Sequence, residues 1–133
     1  MDYIDLQLPE GFNTLRAFKL MRFDRRTGGF RSLFINKGQD YFRQRGWYTA
    51  EDHPTKGFAP RAGFHSMALP RAPHLKMELA SGEERVWVTV EIADFAVHQR
   101  PESQGGVWFL SKYMRILRPT LPSEIQRELR NAS

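Results

Sequence analysis

Apolar and polar positions alternate with a period of two over several short stretches of the chain, which predicts half-buried strands rather than helices. In "LRAFKLMRF" (15–23), Leu15, Ala17, Lys19, Met21 and Phe23 share one side, and Arg16, Phe18, Leu20 and Arg22 share the other. The "TGG" that follows supplies glycines for a tight turn, because glycine takes positive φ without penalty. "FRSLFIN" (30–36) is the returning strand, so a hairpin is predicted over about 15–36. "GWYTAED" (46–52) has the composition of a third short strand. The clearest strand is "RVWVTVEIADF" (85–95), with Val86, Val88, Val90 and Ile92 on one side and Trp87, Thr89, Glu91 and Ala93 on the other. Its β-branched and aromatic content agrees with its period.

Two segments are less simple. "VWFLSKYMRILR" (107–118) starts as a strand, yet Leu110, Met114 and Leu117 also fit one face of a helix. "PSEIQRELRNA" is predicted as a short terminal helix, with Ser123 and Gln126 in capping-box spacing and Ile125 and Leu129 as an apolar i, i+4 pair. Between 53 and 74, Pro54, Pro60, Pro70 and Pro73 interrupt both ladders and long helices. That stretch is predicted as a long irregular loop, ordered over 57–74 and anchored by Phe58 and Phe64. The expected architecture is a single α+β domain over 1–133, dominated by short antiparallel strands and ending in a short helix.

Composition narrows the classes. The 133 residues contain no cysteine, which excludes disulfides and cysteine-based zinc sites. A chain of this length buries enough surface to fold without such staples. The first residues carry neither a basic nor an apolar leader segment, and no apolar run approaches the ~20 residues of a membrane span. These features suit a cytoplasmic protein with no membrane partner. The formal net charge is +5, with a pI near 9.9. The excess is concentrated in the first half, where Arg22, Arg25, Arg26, Arg31, Arg43 and Arg45 are opposed by few carboxylates. A domain this basic attracts polyanions at long range, so these six arginines are the candidate nucleic-acid-binding residues. Aromatics interleave with them (Phe18, Phe23, Phe30, Phe42, Trp47), as in proteins that stack bases and pair phosphates. The same interleaving arises when aromatics form a core and arginines a solvated face.

Catalytic chemistry is sparsely marked. His53, His65 and His74 fall in or beside the proline-rich middle, but their spacing matches no metal motif, and no metal or cofactor is expected. There is no G-x-S-x-G elbow and no glycine-rich phosphate loop. In "RPESQGGVWF" (100–109), Glu102 or Gln104 is positioned to project into a pocket shared with "GFHS". His65 and Glu102 are accordingly the candidate catalytic pair, with the 100–106 loop lining one concave site.

"HPTKGFAPRAGFHSMALPRAPHL", "ERVWVTVEI", "RPESQGG" and "SKYMRIL" together resemble a group of uncharacterised small proteins of bacteriophages and prophages. The resemblance covers most of the chain after Leu15. It implies an accessory role in the host cytoplasm, directed at host defence or host nucleoprotein. "GFHSMALPRAPHL" followed by "VWVTVEI" is also similar to part of the ADP-ribosyltransferase fold, which would make the chain an NAD-dependent enzyme with Glu102 as its catalytic glutamate. Against that, only Arg16 stands for the basic residue of the first strand, and the glutamate loop departs from the family's spacing. The leading expectation is a small basic protein that binds nucleic acid or a host nucleoprotein. The ADP-ribosyltransferase-like enzyme is the alternative, and a non-catalytic interaction module, with a homo-oligomer left open, is the third.

Overall fold

The structure, a computed structural model, describes residues 2–4, 8, 10–24, 29–31, 46–50, 63–73 and 84–132. Along them run strands β1 (Asp2–Ile4), β2 (Thr14–Asp24), β3 (Gly29–Arg31), β4 (Trp47–Thr49), β5 (Phe64–Met67), β6 (Glu84–Gln99) and β7 (Val107–Pro119). One turn of 3-10 helix spans Glu102–Gln104, and helix α1 spans Pro122–Asn131.

Every pairing among the described residues is antiparallel. β6 occupies one whole edge of β2 and one whole edge of β7. On its other edge β2 meets β3 and β5, and β7 meets β5 and β4. β6, β2, β5 and β7 therefore close into a ring, from which β3 and the β4–β1 pair extend. The ring closes between β2 and β5 through a single register pair, Phe18 opposite Met67.

The inner face of this small barrel follows from the alternation in the sequence. Ala17, Met21, Val88, Val90, Ile92, Met114 and Ile116 are fully buried there and pack with Tyr48, Phe64 and Phe109. The predicted orientation of 85–95 holds: Val88, Val90 and Ile92 lie in this core, with half-buried Val86 against it. The outer face of β2 is covered too. Phe18, Leu20, Met67 and Trp87 make a second cluster, against which Ala72, Trp108 and Ile125 of α1 pack. Ion pairs from Arg16 to Glu128 (2.9 Å) and from Arg118 to Glu124 tie α1 to the sheet. The hydroxyls of Thr89 and Thr120, 3.0 Å apart, add a buried tie at its root.

Two irregularities shape the long strands. The register between β6 and β7 shifts by one at Thr89/Val90, which leaves Leu117 as the extra residue of a bulge on β7. At Asp94 the backbone enters the left-handed region with φ 51°, a conformation that aspartate tolerates better than most residues. Alternation steps by one there. Ile92 is inward before it, and Phe95, packed edge-on to Phe109, is inward after it.

The α+β expectation is overturned: the described residues are mostly antiparallel β, with one helix among them appended at the C-terminal end. The strands are not all short either, since β2, β6 and β7 have 11, 16 and 13 residues. Residues 107–118 satisfied both periods, and pairing on both edges of β7 decides for strand. The middle is less irregular than expected, because Phe64–Met67 is a strand inserted between β2 and β7. The capping box does not form. Leu121 is the N-cap residue and Pro122 starts the helix, which places Ser123 two residues past the cap position. Residues 25–28 and 32–36 of the predicted first hairpin, and 57–62 and 74 of the predicted loop, lie outside the described residues.

Candidate functional site

The strand register assembles basic residues that are far apart in the chain. Arg22 on β2 stands opposite Arg31 on β3 and opposite Arg85 on β6. Three arginines thus occupy one lateral row across three neighbouring strands, about 10 Å long at the usual spacing between strands. Arg22 and Arg31 were predicted from sequence; Arg85 was not. It sits beside Glu84 at the start of a strand, and only its register with Arg22 reveals it. Arg25, Arg26, Arg43 and Arg45 lie outside the described residues.

Among the described residues the aromatics that interleave with the arginines belong to the core; Phe42 lies outside the described residues. Phe18, Phe30 and Trp47 are buried, and Phe23 stacks at 5.5 Å on Phe30 inside the barrel. Arg115, over the Trp47 ring at 5.2 Å, is paired with Glu91. The stacking half of the single-strand expectation is therefore not available at these residues, and what remains is the cationic row.

The residues around the predicted His65 and Glu102 pair are linked through Trp108. His65 lies on β5, its ring edge-on to Trp108 with centroids 6.0 Å apart. The Trp108 indole N–H donates to the Gln104 carbonyl at 2.8 Å, and Arg100 lies over its ring at 5.5 Å. Gly105, with φ 100°, seats the loop on the chain after β5: a Cβ there would come within 1.9 Å of Met67 Cε and 2.5 Å of the Arg71 carbonyl. So His65 and the 100–106 loop do share one neighbourhood, centred on Trp108. Glu102, however, begins the 3-10 turn as an exposed residue. Of the other histidines, His98 is exposed near the end of β6, and His53 and His74 lie outside the described residues.

A second polar group was visible in the sequence without being singled out. Lys19 interrupts the apolar side of β2, directly opposite Val88. Its ammonium donates to the His65 carbonyl at 2.6 Å. The residue keeps some exposed surface, but burial around its ammonium lowers its pKa from 10.5 to about 8. On the same inner face, the buried hydroxyls of Ser66 and Ser111 have no hydrogen-bond partner.

No family model, curated protein or solved structure matches the chain.

Proposed function

We propose that the protein binds a nucleic-acid backbone through the row Arg31–Arg22–Arg85. The observation that carries this reading is the row itself: three arginines stand at adjacent register positions of three neighbouring strands, and a concentration of cationic residues attracts a polyanion. Arginine suits the task because its planar fork pairs phosphate oxygens bidentately. The burial of the neighbouring aromatics argues for phosphate contact rather than base stacking, and hence for binding with little sequence preference. Such binding suits the phage-accessory context that the sequence resemblance suggests.

The test is the salt dependence of binding to a labelled duplex, followed by fluorescence anisotropy. Three neutralised phosphates contribute a slope of about −2.7 in log K against log salt, so the row alone accounts for a loss of roughly 40-fold between 50 and 200 mM salt. Replacing Arg22, Arg31 and Arg85 together by glutamine is expected to flatten the slope by between about two and three, with the circular dichroism spectrum unchanged. Absence of binding at low salt, or an unchanged slope in the triple variant, overturns the reading.

A further inference from the structure

We propose that the barrel interior carries a binding site for a small monocarboxylate, formed by Lys19, Ser66 and Ser111. The inference is independent of the arginine row, which lies on the opposite face of β2 from Lys19. The geometry starts from register. Phe18 pairs with Met67 in antiparallel sense, which places Lys19 beside Ser66 on the inner face. Ser66 pairs with Phe109 and Phe64 with Ser111, so the two serines are diagonal neighbours on that face. Ser66 is 1% exposed and Ser111 fully buried.

Each of these groups has unused donor capacity. The two hydroxyls have no hydrogen-bond partner, a condition that native proteins avoid because a buried polar group without a partner has lost its water for nothing. Lys19 has three N–H donors and spends one on the His65 carbonyl. Among the described residues no carboxylate pairs with it. Donors at neighbouring register positions on one face, two of them with no acceptor, fit an anion.

The surroundings choose which anion. Val88 faces Lys19 across the strand pair, and Phe64 and Phe109 flank the serines. One cation within apolar walls balances one negative charge; a phosphate dianion would bring surplus charge into a medium that penalises it. An apolar tail attached to a carboxylate matches both parts of the site. The partial exposure of Lys19 gives the ligand an approach from solvent. A bound carboxylate also restores the counter-charge that burial denies this ammonium.

The experiment is a titration of the intact protein with sodium hexanoate, with inorganic phosphate at matched ionic strength as the control. Val88 methyl and Lys19 ε-methylene resonances report occupancy. The expected result is saturable shifts with hexanoate only, accompanied by a rise in the Lys19 pKa. Lys19→Met is expected to abolish the shifts, and Ser66→Ala or Ser111→Ala to weaken binding about tenfold each. Should Lys19→Met fail to fold, the two serine variants decide. The proposal is overturned if hexanoate gives no saturable shift at tens of millimolar, if phosphate shifts the same resonances equally, or if the folded variants bind as the parent does.

Discussion

Lys19→Met separates the electrostatic cost of the buried ammonium from its one hydrogen bond. The lysine carries a pKa of about 8 in the folded protein against 10.5 when solvated. At about 1.4 kcal/mol per tenfold change in proton affinity, this corresponds to about 3 kcal/mol. Solvent screening at a partly exposed residue reduces it to about 2 kcal/mol. The lost bond to the His65 carbonyl (2.6 Å) returns about 1 kcal/mol. The sign follows from linkage. Below pH 8 both folded and unfolded chains hold the proton, and the folded state bears the full cost of the buried charge. Between pH 8 and 10.5 the unfolded chain binds more protons, so the parent protein gains stability as pH rises. Above 10.5 both states are neutral and only the bond remains. Lys19→Met is therefore expected to be more stable than the parent by about 1 kcal/mol at pH 7 and less stable by about 1 kcal/mol above pH 10.5. Urea unfolding of both proteins across that range measures the difference directly, because tyrosines and other lysines titrate alike in the two and cancel. A difference that stays constant with pH, or a variant less stable at pH 7, refutes the reasoning.

Three further outcomes follow from the packing. Val88→Asp places a carboxylate in the barrel interior at a cost of several kcal/mol and is expected to unfold the domain; a soluble variant with an unchanged Tm would refute the orientation of β6. Gly105→Ala must relieve a 1.9 Å approach to Met67 Cε at a φ of 100°, so a loss of about 2 kcal/mol is expected in thermal unfolding. Glu124 has its carboxyl pKa lowered, chiefly by its hydrogen bond from Arg118; Glu124→Gln is expected to cost about 1 kcal/mol at neutral pH, and acid unfolding curves of parent and variant are expected to converge as pH falls through the folded-state pKa of the carboxylate.

The parts of the fold legible in the sequence were those whose pattern has one explanation. β6 announced itself because β-branched residues and strict alternation agree over Val86–Ile92. β2 showed its two sides correctly, but alternation alone does not say that both are covered, since Phe18 and Leu20 are buried in a second cluster with Met67, Trp87, Trp108 and Ile125 of α1. β5 stayed hidden because Phe-His-Ser-Met has no clear alternation and sits among prolines; its strand state comes from partners at Phe18 and at 108–111. The site behaved likewise. Arg22 and Arg31 stood out by local charge, and Trp108 contacts both His65 and the 100–106 loop. Arg85 needed the register. Lys19 carried its own signal, a cation on an otherwise apolar side, which is the kind of local inconsistency that marks a functional position.

The single rung that closes the barrel has a consequence for folding kinetics. β6 and β7 are joined by a short connection and share a ladder that runs nearly their full lengths, so this hairpin can form from local encounters. The rung between Phe18 and Met67 must instead bring together residues about 50 positions apart for one register pair, and loop-closure entropy is lost before that contact rewards it. Closure of the β2–β5 seam is thus a late event in folding, and its reversal is among the least costly openings of the native state. The backbone amides of β5 should then exchange with solvent by a sub-global opening while those of Val88–Ile92 wait for global unfolding. Lys19 spans that seam through its bond to the His65 carbonyl, so it adds a side-chain tie beside the single rung.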